Sequence, residues 1–197
     1  MLKRRDFIKQ TVAVATIAPG VINSAHATST AVKHDAAKSL DIALVIYDEQ
    51  FADSVAFAEA LSARGARAFA VGNDIGRLWF GELGSIVASH VAIAGLTTHS
   101  DLHVSLSFAR QFGSRLQFEA EHDCRGGEFL THRIRTRARA QSMDAVFVHA
   151  DTRWPQALAA SLSNYAGGTG ALRELKLSTS INRDASHPGS LFSWVIA

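Results

Sequence analysis

The chain has a single cysteine, Cys124, among its 197 residues. One thiol excludes an internal disulfide framework and any metal site built from cysteines alone. Long apolar runs are also scarce. The apolar stretch from Thr11 to Ile22 is interrupted by Pro19 and Gly20, so it is too short and too broken to span a bilayer. With 47% hydrophobic and 19% charged residues, the composition is that of a globular chain and excludes a disordered tail or a multi-span membrane protein.

A strong excess of one charge is absent once the N-terminal segment is set aside. Residues 1–27 contain four basic residues and one acidic residue, a net charge of +3, which leaves 16 basic and 17 acidic residues, a net charge of −1. A nearly neutral chain is a poor general binder of nucleic acid, because phosphate backbones are bound mainly through excess positive charge. We therefore expect no nucleic-acid partner.

Residues 1–27 have the features of an export leader. A basic start precedes the modest apolar stretch, and the segment ends with the small-x-small pattern Ala25-His26-Ala27 that signal peptidase requires. Residues 3–9, KRRDFIK, resemble the twin-arginine export signal, with Lys3 where Ser or Thr is more frequent. The resemblance implies export in the folded state by the twin-arginine machinery, with a cofactor or a partner protein. The alternative is a leader of the general secretory route that contains two arginines.

The leader predicts the domain organisation and the location. Cleavage after Ala27 would release a periplasmic chain without membrane attachment. A lipid anchor is not expected, because no cysteine lies at the cleavage site. Residues 28–39 are small and polar and predict a flexible lead-in. Residues 40–197 predict one α/β domain. A chain of this length can bury a stable core without disulfides or bound metals.

Strand and helix patterns alternate along residues 40–197. Because repeated strand–helix–strand order favours parallel pairing, we expect a mostly parallel sheet covered by helices, a flavodoxin- or Rossmann-like three-layer arrangement. Apolar runs predict strands, and residues with helical spacing between caps and glycines predict helices. The predicted strands are 41–47, 66–71, 91–94, 116–120, 129–140, 145–148, 175–179 and 191–196, and the predicted helices are 53–64, 74–83, 100–113 and 155–165.

Polar residues follow five of the predicted strands. In an open parallel sheet, ligands bind beyond the carboxyl ends of the strands, so these residues are expected to converge on one edge. They are Asp48 and Glu49, then residues 72–74, residues 97–99, residues 122–124, and His149 with Asp151.

Four histidines of this edge form a candidate metal site. His99 and His103 are four residues apart, so a helix places them on one face, and His122 and His149 follow other predicted strands. Neutral imidazoles bind Zn²⁺ or Cu²⁺, and Cys124 would favour Zn²⁺ or Cu⁺. The alternative is a set of solvent-facing loop histidines, because the chain has neither HExxH nor CxxC.

Cys124 is also a candidate nucleophile, with His122 or His149 as its base. Arg125 and a nearby histidine would lower the pKa of its thiol. Glu121 and Asp123 would raise that pKa, so an inert, half-buried cysteine is the alternative.

Four arginines alternate along the predicted strand 129–140: Arg133, Arg135, Arg137 and Arg139. A strand places every second residue on one face, so the row predicts a surface for an acidic partner or a small anion. The alternative is an edge strand protected by charge against unwanted pairing.

The sequence contains no dinucleotide-binding fingerprint in the right context, no phosphate-binding loop and no GxSxG elbow. Residues 28–197 resemble small exported α/β proteins without a characterised activity. We therefore expect an accessory or ligand-binding protein that is exported folded and works with a periplasmic redox enzyme. The alternatives are a metal-assisted hydrolase or oxidoreductase that uses the histidines, and a cysteine-dependent enzyme.

Overall fold

The computed structural model describes residues 39–87, 90–123, 129–137, 146–147, 150–168, 171–180 and 189–197. All of them belong to one compact unit. Their strands form one seven-stranded sheet in the order β2-β1-β3-β7-β4-β5-β6. The strands are β1 Ile42–Tyr47, β2 Arg67–Ala70, β3 Ala92–Thr97, β4 Leu116–Asp123, β5 Phe129–Thr136, β6 Arg173–Ser180 and β7 Ser190–Ile196.

The helices largely coincide with the segments that the sequence predicts. They are α1 Ala52–Ser62, α2 Ile75–Leu78, a π-helical turn Trp79–Leu83, α3 Gly84–Val87, α4 His99–Gln111, a 3₁₀ turn Asp151–Arg153 and α5 Trp154–Ser163. The turn after α1 contains Gly65 at a φ of 103°, a conformation that favours glycine. None of the described helices is long and apolar enough to cross a membrane.

The first half of the sheet is parallel. β1 pairs with β2 on one side and with β3 on the other, both in parallel register. The chain therefore passes from β1 to its neighbour β2 on one edge of β1 and then crosses to β3 on the opposite edge of β1. Such a reversal between neighbouring strands, here between β1 and β3, is where open α/β sheets leave a crevice at the carboxyl ends.

The second half of the sheet is antiparallel. The pairs β3–β7, β7–β4, β4–β5 and β5–β6 are all antiparallel. The α/β class is confirmed, and the expectation of a mostly parallel sheet is wrong. Only five residues separate β4 from β5, whereas a parallel crossover needs a dozen or more.

One predicted strand is also wrong. Val146 and Phe147, the described part of the run 145–148, are helical. Phe147 is fully buried against the sheet. A four-residue apolar run does not distinguish a buried strand from a buried helical turn, because no periodicity can be read from it. Asp151, which begins a 3₁₀ turn, therefore does not directly follow a strand of the sheet, and His149 lies outside the described residues.

The two faces of the sheet carry separate apolar clusters. Val45 packs in the cluster that includes Phe57 of α1 and Trp154 of α5. Its neighbours Leu44 and Ile46 pack in the other cluster, which includes Trp79, Trp194 and residues of α4. This alternation is what a strand buried on both faces requires.

A glycine in β3 makes room for the largest side chain of the second cluster. A Cβ atom at Gly95 would lie 2.2 Å from two ring atoms of Trp194. The indole nitrogen of Trp194 donates a hydrogen bond to Thr97 Oγ1 at 3.1 Å. The absence of a side chain at residue 95 therefore allows the indole to lie across β3.

Candidate functional site

The carboxyl ends of β1, β2 and β3 surround a pocket of about 440 Å³. Three chain segments line it, each directly after one of these strands. They contribute Asp48 and Gln50, residues 71–75, and Thr98, Ser100, Asp101 and Val104. Of the polar residues that the sequence predicts at this edge for the first three strands, Asp48, residues 72–74 and Thr98 line the pocket, whereas Glu49, Thr97 and His99 do not.

Asp48 is the most buried acidic residue of the crevice, with 4% of its surface exposed. Its backbone N–H donates to Ser54 Oγ at 2.9 Å, and its Oδ1 accepts from the backbone N–H of Gln50 at 3.0 Å. Ser54 in turn donates to the carbonyl oxygen of Leu96 in β3. Ser54 therefore ties the ends of β1 and β3 together and holds Asp48 at the point where the strand order reverses.

The charge of the crevice is negative. Three carboxylates line it, those of Asp48, Asp74 and Asp101, and no basic side chain lines it in the described part of the chain. Burial raises the pKa of Asp48 above its ordinary value, and the nearby Asp101 and Glu49 carboxylates raise it further. The hydrogen bond from the Gln50 backbone acts in the opposite direction.

All three carboxylates accept a local hydrogen bond, and two of them, Asp74 and Asp101, cap helices. Asp74 Oδ1 accepts from the backbone N–H groups of Gly76 and Arg77 at the start of α2. Asp101 Oδ2 accepts from Thr98 Oγ1 at 2.6 Å in the cap of α4. Capping of this kind explains an acidic residue in a first helical turn. It does not explain Asp48, which is buried before α1 begins.

The histidines predicted to bind metal are distributed over both faces of the sheet. His99 and His103 are exposed on α4, and the His99 ring lies 4.9 Å from the ring of Phe192. Phe192 pairs with Glu121, so His122, one residue further along β4, points to the opposite face. His149 lies outside the described residues. Within the described ranges, no three His, Cys, Asp or Glu side chains are close enough to hold a metal ion.

His122 belongs instead to a buried cluster that the sequence reasoning missed. Its Nδ1 lies 2.6 Å from Nδ1 of His132, and its Nε2 lies 2.7 Å from Ser193 Oγ. The indole of Trp154 stacks on His122 at a ring separation of 4.3 Å. A β-hairpin prediction for residues 116–136 would have indicated His132, because the five-residue connection between β4 and β5 allows residues 122 and 132 to pair.

A serine hydroxyl beside an imidazole is the arrangement of a nucleophile and its base. Here, however, His122, His132 and Ser193 are at most 1% exposed, so a substrate has no access to the hydroxyl. Burial lowers the pKa of His132 to about 4 and that of His122 well below its ordinary value, with His132 lowering it further. The cluster is therefore a neutral polar part of the core. Cys124, the other candidate nucleophile, lies outside the described residues.

The arginine row lies on the open face of β5, paired with acidic residues of β4. Arg133 and Arg135 face Glu121 and Glu119 across the strand pair, at 3.0 and 3.1 Å. Arg137 continues the row, and Arg139 lies outside the described residues. Because β5 lies between β4 and β6, protection of a sheet edge does not explain the row.

Comparison of the chain with models of protein families, with curated proteins and with solved structures finds no match. The geometry of the described residues is therefore the basis for the function proposed below.

Proposed function

We propose that this protein binds a small organic cation in the crevice at the carboxyl ends of β1, β2 and β3. The observation that carries the proposal is the buried Asp48 at the reversal of strand order, with a raised pKa and further carboxylates beside it. Burying a carboxylate among like charges costs stability, and such groups concentrate at functional sites. A bound cation would remove both the repulsion and the cost of desolvation.

The lining favours an organic cation over a metal ion. When all three carboxylates are ionised, the described lining has a net charge of −3, so an anionic ligand is disfavoured. A volume of about 440 Å³ is that of a small-molecule site. Val71, Ile75 and Val104 supply apolar surface, which suits the methylene groups of an amine but not a bare metal ion.

The export leader is part of the same proposal. Residues 3–9 contain the complete twin-arginine pattern, which would place the ligand-binding domain in the periplasm. Binding in the crevice needs no catalytic motif, which agrees with an accessory or ligand-binding role for the chain.

Calorimetric titration with three four-carbon probes tests the proposal. At pH 7.5 the diamine putrescine should bind the full chain, 1,4-butanediol should bind at least about tenfold more weakly, and the monoanion butyrate should not bind. The three probes share a chain length and differ in charge. The order of their affinities therefore reports the sign of the charge that the crevice recognises.

Variants locate the site. Asp48→Asn and Asp101→Asn should each weaken putrescine binding by about tenfold, whereas Asp41→Asn, at the exposed start of β1, removes the same charge elsewhere. Equal weakening by Asp41→Asn would show attraction to the whole protein rather than a site. Binding of Mg²⁺ or Ca²⁺ that displaces putrescine would reassign the crevice to a metal ion and overturn the proposal.

A further inference from the structure

A second pocket, of about 370 Å³, shares no lining residue with the acidic crevice. Four arginines line it: Arg110 and Arg115, which flank the turn between α4 and β4, Arg135 on β5, and Arg137 just after the end of β5. Among the described residues of its lining, Glu119 is the single acidic one. With four positive charges and one negative charge, the lining has a net charge of +3.

The fold brings these arginines together from three segments of the chain. α4 ends at Gln111, and Gly113 at a φ of 77° turns the chain back toward β4, which places Arg115 beside the pocket. Arg135 lies on β5 and Arg137 one residue beyond its end, and both line the same pocket. Arg135 and Arg137 belong to the row of alternating arginines at residues 133–139, whereas Arg110 and Arg115 lie outside that row.

Two of the four guanidinium groups are held in place by hydrogen bonds. Arg137 Nε donates to the carbonyl oxygen of Leu116 at 3.0 Å. Arg135 Nη1 donates to Glu119 Oε2 at 3.1 Å. Groups fixed in this way lose little conformational freedom when a ligand binds, which favours affinity.

The charge compensation differs among the arginines of the pocket, and Arg135 is paired with Glu119 at 3.1 Å. Arg133, outside the pocket, lies near two carboxylates, Glu121 at 3.0 Å and Glu174 at 3.9 Å. Within the described residues no ion pair is recorded for Arg110 or Arg115. A position in the last turn of α4 accounts for Arg110 through the helix dipole. It does not account for Arg115 or for the convergence of all four.

We propose that this pocket binds a small oxyanion with at least two negative charges, a phosphate monoester or a compact di- or tricarboxylate. Guanidinium groups bind such anions through paired, charge-assisted hydrogen bonds. The concave shape and the limited volume suit a small molecule rather than a flat protein surface. Leu106 and Leu116 in the lining supply apolar contact for its carbon skeleton. The site is independent of the cation site proposed above.

Titration calorimetry of the full chain with inorganic phosphate and with citrate, at low ionic strength and pH 7.5, tests this assignment. The double variant Arg110→Gln/Arg115→Gln should weaken binding at least about tenfold. Its matched control is Arg64→Gln/Arg77→Gln, which removes two exposed arginines that do not line the pocket. Arg110 and Arg115 form hydrogen bonds through their backbone atoms, so their replacement should leave the unfolding temperature nearly unchanged.

Glu119→Gln changes the binding in the opposite direction. It removes the carboxylate that repels the anion, and this electrostatic gain exceeds the cost of the conformational freedom that Arg135 regains, so affinity for both anions should increase severalfold. Tighter binding of phosphate identifies a phosphate ester as the ligand class, and tighter binding of citrate identifies a polycarboxylate. Equal loss of binding in the Arg64→Gln/Arg77→Gln control overturns the proposal. The absence of binding of both phosphate and citrate up to about 10 mM also overturns the proposal.

Discussion

Nδ1 of His122 and Nδ1 of His132 lie 2.6 Å apart at paired positions of β4 and β5. At this distance one nitrogen donates its proton and the other accepts it. His132 Nε2 and Trp154 Nε1 have no hydrogen-bond partner in the described part of the chain. A further proton, beyond the one that each neutral imidazole carries, would bury a charge without a counter-ion among the described residues, which explains why both imidazoles stay neutral.

The histidine pair predicts that stability falls in acid. Because the pKa values of both histidines are lowered in the folded state, only the unfolded chain takes up their protons between about pH 6.5 and pH 4. The free energy of unfolding should therefore fall across this window as the pH decreases, by on the order of 2–3 kcal/mol for His132. Urea unfolding at a series of pH values measures it.

Replacement of one imidazole checks the cause. His132→Leu should flatten the pH dependence between pH 6.5 and pH 4, at a cost in stability at pH 7. His103→Gln, at an exposed position on α4, should leave the slope unchanged. An equal slope in wild type and His132→Leu would assign the acid sensitivity to other groups.

Gly95→Ala should destabilise the fold strongly. The added methyl group would lie 2.2 Å from the ring of Trp194, so the indole must move and lose its hydrogen bond to Thr97. Overpacking of this kind costs about 1–3 kcal/mol or more. Gly81→Ala is the matched control, because a Cβ atom there meets nothing within 4 Å. Similar unfolding midpoints for the two variants would contradict the packing of Trp194 against β3.

Asp48→Asn should raise the unfolding temperature at pH 7 by a few degrees. The pKa of Asp48 is raised in the folded state, so the folded chain is favoured when this carboxyl is protonated and loses stability as the pH rises through the raised pKa. The amide keeps an oxygen that accepts from Gln50. The gain should disappear near about pH 3, where wild type is also neutral at this position. A loss of stability at pH 7 would show that the ionised carboxylate has a structural role.

Export through the twin-arginine route is the fourth prediction. Changing Arg4 and Arg5 together to Lys should leave the full-length precursor in the cytoplasm, because the machinery recognises the arginine pair. Immunoblotting of cell fractions measures the distribution, and the N-terminus of the processed wild-type chain should lie at or near Thr28. Normal processing of the double variant would instead assign the leader to the general secretory route.

The acidic crevice could be predicted because local patterns encode each of its parts. The run 41–47 predicts β1, the pattern from the cap Ser100 to Gly113 predicts α4, and the polar residues lie next to these elements in the chain. Parallel strands joined by helices bring their carboxyl ends to one edge whatever their order. The position of Asp48 therefore follows from nearby residues alone.

The tertiary structure alone decided how the second half of the sheet pairs. β7 lies between β3 and β4. The local sequence pattern predicts each of these strands, but it does not predict which strands are its neighbours in the sheet. Ser193 meets His122 across 71 residues of sequence, and the arginine pocket combines the end of α4 with β4 and β5. By itself the sequence determined seven strands, the helices that follow them and Asp48 at the crevice, but not the helical state of Val146 and Phe147. The partners of distant strands depend on which pairing buries the most apolar surface and satisfies the most backbone groups in the whole sheet, a balance that no local segment contains.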